Sequence, residues 1–283
     1  MIPAAFDYVR PETVRKAVDA LARGGDDARV LAGGQSLLHV MKRRLTTPPV
    51  LVDLGGIPEL RGIREDGDEI VIGAMTTHHD VLNDELVREH IPLLAQAAAT
   101  VADPQVRHRG TICGALALAD PAGDLGAVAV ALEARFVGVG PWGPRTIGAA
   151  DFFTGRFATG LTRAEILTEV RFPRYTSWGS CYESMRRSAQ SWSTVGVAAA
   201  VEVIGGAIAQ ARVALTNMGP TPVRAVAVER ALVGAPAIAA AIQEAAAHAT
   251  EGTAAPSDAD AAADYREHLA RVLTARAVLA AAD

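Results

Sequence analysis

Apolar and polar positions follow two rhythms along this chain, and the switches between them mark the elements. Near the start, Val14, Ala17, Val18 and Leu21 recur at helical spacing, behind Pro11 in a first turn and ahead of Gly24-Gly25, which predicts a helix. The short apolar run Arg29-Val30-Leu31 reads as a strand and passes directly into Ala32-Gly33-Gly34-Gln35-Ser36. Ser36 is placed to cap a second helix carrying Leu37, Val40 and Met41 on one side, and Val50-Leu51-Val52 is the next strand. A small α/β unit thus fits into residues 1–55.

Residues 56–175 predict a second unit, with strands at 69–73, 135–139 and 165–172 and helices around 79–82, over 92–101 and over 125–133. After the turn-rich stretch 173–179 the texture changes. Two long β-like runs, 195–204 and 207–215, are joined by Gly205-Gly206, a hairpin signal, and helices are expected over 223–232, 238–247 and 259–280. The pattern divides the chain into a first domain, 1–175, and a C-terminal domain, 176–283, hinged near 173–180. The fold class is α+β.

Composition narrows the function. Half of the 283 residues are hydrophobic and 21% are charged, as in a globular protein with ample core. A net charge of -5, with acids and bases intermixed, argues against a non-specific nucleic-acid binder, which needs a basic face. The opening Met1-Ile2-Pro3-Ala4-Ala5-Phe6 has neither a basic nor a long apolar stretch, so no signal peptide is expected, and the Ala-rich runs are too broken by charge to span a bilayer. A cytoplasmic location is the default expectation. The two cysteines, Cys113 and Cys181, fall short of the roughly four thiolates that a two-iron cluster takes.

Two segments offer chemistry. In Ala32-Gly33-Gly34-Gln35-Ser36-Leu37, a strand, two glycines and a helix start expose backbone N–H groups with no side chains in the way, which suits a pyrophosphate; the plainer reading is an ordinary turn. Thr111-Ile112-Cys113-Gly114 is a second small-residue segment, with Asp124 beyond a Pro turn, where an aspartate more often caps the following helix than binds a ligand. Two separated donor segments suggest a cofactor with two contact regions, such as a dinucleotide. His78 and His79 are neighbours whose side chains point apart, and no partner has ligand spacing, so they read as a solvated turn rather than a metal site. Lys42-Arg43-Arg44 reads as a solvated helix face or a contact for a partner subunit.

These segments, together with Pro3-Ala4-Ala5-Phe6-Asp7-Tyr8, Ile72-Gly73-Ala74-Met75-Thr76-Thr77-His78, Asp120-Pro121-Ala122-Gly123-Asp124, Ala211-Arg212-Val213-Ala214-Leu215 and Pro220-Thr221-Pro222-Val223-Arg224, resemble one family in collinear order. It is the FAD-binding medium subunit of aerobic carbon monoxide dehydrogenase, xanthine dehydrogenase and related molybdenum hydroxylases. The resemblance implies a two-subdomain FAD domain of the vanillyl-alcohol oxidase type plus a smaller α/β C-terminal domain. It places the FAD pyrophosphate on residues 32–37, a second cofactor segment on Thr111, Ile112, Gly114 and Ala115, a polar anchor at Asp124, and Leu167 near the isoalloxazine. FAD would be non-covalent. Molybdopterin and two-iron clusters would sit in a large and a small partner subunit, in a dimer of heterotrimers, with the substrate chosen in the molybdenum subunit.

The sequence departs from that family's pattern in places. Cys113 replaces a glycine of the usual Thr-Ile-Gly-Gly, and would be strained if its backbone took φ > 0. Ala115 stands where a polar residue is frequent, and Ser184 where lysine is common, leaving Arg186 or Arg187 as substitute cations. Trp192 falls where relatives place an aromatic residue near the flavin ring; its alternative is a core aromatic ahead of the Val195 strand. A free-standing flavin oxidoreductase is the rival reading, but it needs a general base at the flavin, and no convincing His or carboxylate constellation serves. A cofactor-free scaffold finds support only in Cys113 and Ala115.

Overall fold

The computed structural model describes residues 2–283. The chain opens with β1 (Asp7–Val9), α1 (Val14–Gly24), β2 (Arg29–Leu31), α2 (Leu37–Lys42) and β3 (Val50–Asp53), and the three strands form a sheet in the order β1-β3-β2 with both pairings parallel. Thr13, not Pro11, starts the first helix: its side chain accepts from the Lys16 N–H at 3.3 Å. Ala17, Val18 and Leu21 are buried as the helical spacing predicts. Ser36 precedes α2, but its side chain makes no capping hydrogen bond, because its own backbone is already in the αR region.

The second unit runs β4 (Ile63–Asp66), β5 (Glu69–Gly73), α3 (His78–Asn83), α4 (Glu85–His90), α5 (Pro92–Thr100), α6 (Pro104–Arg107), α7 (Ile112–Leu118) and α8 (Asp124–Ala131). It continues with β6 (Arg135–Gly140), β7 (Gly143–Gly148), α9 (Ala149–Phe152), the short pair β8 (Phe153–Gly155) and β9 (Ala158–Thr159), and β10 (Ile166–Pro173). Five strands pair in the order β4-β5-β10-β6-β7, antiparallel throughout. Strands β5, β6 and β10 follow the apolar runs. The outer strands β4 and β7 are missing from the sequence pattern because each faces water on most of its length.

The third unit begins with β11 (Gly179–Met185), which starts inside the stretch read from sequence as the hinge and runs on through residues to which the sequence pattern assigned no element. Then come β12 (Val195–Ile204), β13 (Ala207–Thr216), β14 (Val223–Arg224), α10 (Val226–Leu232), α11 (Ala239–Ala246) and α12 (Ala263–Ala282). The hairpin of β12 and β13 turns on Gly205 and Gly206, both at positive φ (60° and 81°). The helix expected from Val223 starts three residues later, since Val223 and Arg224 pair with β13 instead.

Strand β12 has two buried faces that serve different cores. Val195, Val197, Ala199 and Val201 pack under α10, α11 and α12, while Ala198 and Ala200, with Ala214 of β13, join the core of the preceding units. That second face is made of small side chains, and α8 opposite it, Asp-Leu-Gly-Ala-Val-Ala-Val-Ala, is almost as small. A Cβ on Gly126 of α8 would lie 2.7 Å from the Pro222 ring, so glycine is needed where the loop before β14 packs on the helix.

Candidate functional site

The two small-residue segments, 79 positions apart as Ala32 and Thr111, are adjacent in space. A Cβ on Gly33 would run into the Arg109 carbonyl, and one on Gly114 would sit 3.6 Å from the Ala32 Cβ. Gly34 takes φ +75°, which glycine alone adopts without strain. This sharp turn leaves the backbone N–H groups of residues 33–37 without an acceptor among the described residues, while Gln35 folds its amide back onto the Gly33 carbonyl at 3.2 Å. A row of unspent donors on a glycine turn is what an anionic ligand satisfies.

Thr111 sits at the other segment as the cap of α7: its Oγ1 accepts from the Gly114 N–H at 3.2 Å. A Cβ on Gly114 would lie 2.6 Å from that oxygen, so glycine keeps the cap intact. Ile112 points into the core and spends its N–H on the Thr76 carbonyl. Cys113 has ordinary helical backbone and is buried; burial also pushes its thiol pKa up, so it is an inert filler and not a strained residue.

Beside these segments lies a cleft of about 330 Å³, lined by Gln35, Ser36, Ala115 and Asp124, with Leu116 and Phe153 among its apolar walls and Arg186, Gln190, Ser191 and Trp192 on one side. A larger hollow of about 440 Å³ lies against Glu133, Pro222 and Arg224, but neither glycine segment borders it. Trp192 is 56% exposed, which overturns its reading as a core aromatic. Leu167 is buried on β10 opposite Gly138 and does not line the cleft.

Asp124 is the first residue of α8 and not its cap, a position held by Gly123. Its buried carboxylate accepts from Tyr182 Oη at 2.5 Å, Ser193 Oγ at 2.6 Å and Arg186 at 2.5 Å. The Tyr182 pKa is raised by burial and by that carboxylate, so the phenol remains a donor. Arg186 also donates to the Thr100 carbonyl at 2.6 Å and is thereby fixed at the cleft wall, whereas Arg187 turns away to Asp260.

His78 departs from its reading as a solvated turn. It is 3% exposed, lines the cleft, and its Nδ1 has no partner among the described residues. Burial, with Arg107 nearby, lowers its pKa from 6.5 to about 4, so the ring is neutral. The neighbouring Thr77–Asp80 capping box forces this: it starts α3 and turns His78 inward while His79 stacks on His108, ring centres 3.8 Å apart. Sequence reading missed His78, Tyr182 and Ser193. The Thr77-x-x-Asp80 box is the signal that could have placed His78 at the start of a helix.

Fold and site together define a dinucleotide-binding protein of two domains, with donors from the first and a loop from the second facing one cleft. The family model described as the FAD binding domain in molybdopterin dehydrogenase matches residues 4–175, and that of the CO dehydrogenase flavoprotein C-terminal domain matches residues 180–281. The chain is 42% identical to the carbon monoxide dehydrogenase medium chain of Hydrogenophaga pseudoflava, over 99% of this chain and 98% of that one. The solved carbon monoxide dehydrogenase of that organism, which lacks the Mo-pyranopterin moiety of the molybdenum cofactor, superposes with a TM-score of 0.96 at 44% identity, covering 99% of this chain and 98% of that one. Quinoline 2-oxidoreductase from Pseudomonas putida 86 superposes with a TM-score of 0.95 at 34% identity, covering 100% and 98%. The chain therefore belongs to the family of FAD-binding medium subunits of molybdenum hydroxylases, and it is an oxidoreductase subunit whose cofactor is FAD.

The residues present fit that cofactor. The unspent N–H row of residues 33–37 and the orphaned Nδ1 of His78 are buried or partly buried polar groups whose partners a bound dinucleotide can supply.

Proposed function

We propose that the glycine turn 32–37 holds the FAD pyrophosphate, that Thr111 to Ala115 backs the second contact region, and that the cleft walled by Asp124 and Trp192 takes the remainder of the cofactor non-covalently. The observation that carries this is the row of five unspent backbone donors on the turn. When bound, FAD supplies a two-electron store between a one-electron donor and an outside acceptor. The chain's own residues bind and orient it: backbone N–H groups meet its negative charge without a side-chain cation, and neutral His78 offers a hydrogen-bonding atom at the cleft wall. Leu167 is buried and does not line the cleft, so it would act through packing alone.

In this reading electrons reach the flavin from two-iron clusters in a small partner subunit. They originate at molybdopterin in a large one, where the substrate is hydroxylated. The units 1–55 and 56–175 form an FAD domain of the vanillyl-alcohol oxidase type, and 176–283 a C-terminal domain of the carbon monoxide dehydrogenase flavoprotein type. The holoenzyme is a cytoplasmic dimer of heterotrimers. Among the described residues no helix is long and apolar enough to cross a membrane.

The test is an ultraviolet–visible spectrum of the purified protein, with chromatography of whatever mild denaturation releases. Flavin bands and near-stoichiometric free FAD are expected. A protein that stays colourless after incubation with FAD sinks the assignment of the cleft.

A further inference from the structure

Residues 186–193 form a loop with tethers of its own. It leaves β11 after Met185 and is closed at its base by the Thr194 N–H on the Met185 carbonyl, at 2.8 Å. Both of its ends are tied to a single side chain in the preceding domain. Arg186 donates to Oδ2 of Asp124 at 2.5 Å, and Ser193 to Oδ1 at 2.6 Å. Midway, Gln190 reaches Asp103 at 3.2 Å, and beyond it Ser191 and Trp192 line the cleft. Tyr182 donates to the same Oδ1 at 2.5 Å, but it stands on β11, outside the loop.

A carboxylate has about four acceptor positions. Asp124 gives two of them to opposite ends of one loop, in a site it shares with almost no water, being 5% exposed. Hydrogen bonds to a charged, buried oxygen are stronger than neutral ones. Releasing either end strands a polar partner in the interior. The loop is therefore held in place where it meets the cleft, even though its middle is exposed.

We propose that Asp124 is a positioning residue that latches loop 186–193 across the cofactor cleft and so sets how fast FAD leaves and how Trp192 is presented to an acceptor. The inference rests on the cleft being the FAD site. It differs from a direct anchoring contact, because the carboxylate acts through Arg186 and Ser193.

The experiment compares Ser193→Ala, Asp124→Asn and Tyr182→Phe in the full chain loaded with FAD. It reads the rate at which FAD is released on dilution, amide exchange across 187–192, and melting temperature. Ser193→Ala and Asp124→Asn are expected to speed both FAD release and exchange in the loop about tenfold. Tyr182→Phe removes a hydrogen bond from the same oxygen but unties neither end, so it should keep wild-type release. If Tyr182→Phe matches Ser193→Ala in release and loop exchange, Asp124 is only domain adhesive and the latch is overturned. Unaltered loop exchange in Ser193→Ala overturns it equally. Should Asp124→Asn fail to fold, the other two variants, each short of one hydroxyl, still decide the matter. A wild-type chain that takes up no FAD defeats the reading of the cleft, while loop exchange continues to test the latch.

Discussion

His78 shows how far a local environment can move a side chain from its usual behaviour. Burial holds its pKa near 4 instead of 6.5, so between those values the unfolded chain takes up a proton that the folded chain refuses. Its contribution is therefore complete above about pH 6.5 and is lost as the pH falls towards 4, with about 2 kcal/mol gone by pH 5. Melting curves at pH 7 and pH 5 should show the wild type losing about 2 kcal/mol more than His78→Gln; equal losses would mean that His78 is already charged in the folded protein. Gly33 is constrained by geometry and not by charge. A Cβ there meets the Arg109 carbonyl, a backbone atom that cannot swing aside, so Gly33→Ala is expected to cost about 1–3 kcal/mol. It should also lower bound FAD, since the turn and the second segment are forced apart. A Gly33→Ala protein with full flavin content and unchanged melting would show that the two segments need not touch.

The strands of the C-terminal sheet show what a pattern of apolar residues can and cannot reveal. The runs that became β12 and β13 and their Gly205-Gly206 turn are legible because nearly every residue is apolar and the turn needs positive φ. The edge strands β4 and β7 were not, because water on their outer sides removes the alternation that marks a strand, and β11 is written in Gly, Ser and Glu as much as in apolar residues. The glycine segments of the site were legible for the same reason as the hairpin: their backbone requirement leaves a mark in composition. The partners of Asp124 left none, since Tyr182 and Ser193 lie 58 and 69 positions away and only the docking of β11 and β12 on α8 brings them in. The small residues of β12 record that docking. Replacing Ala200 by Leu places a branched side chain between β12 and the core of the preceding domain, with about 1–3 kcal/mol of destabilisation expected in a denaturant titration. No loss would mean that this face has room and that the sheet is not held as closely as its alanines suggest.

Because β12 belongs to both cores, neither domain can lose its packing without exposing apolar surface of the other. The Asp124 cluster adds a buried ion pair across the same boundary, and Glu133 extends it by pairing with Arg224 of β14 at 2.7 Å and Arg212 of β13 at 3.3 Å. The chain should then unfold in a single calorimetric transition, although it is large enough for two. FAD bound in the cleft as proposed would couple the two domains further, since the cleft takes Gln35, Ser36 and Ala115 from one domain and Arg186 and Trp192 from the other. At a free concentration one hundred times its Kd, a ligand that binds only the folded state adds about 2.7 kcal/mol. For a chain of this size that is a rise in Tm of roughly 4–5 °C. A single peak that moves as a whole with added FAD is the expected result. Two peaks, of which FAD moves only one, would show that the C-terminal domain folds independently and that its loop closes on the cleft without sharing its binding energy.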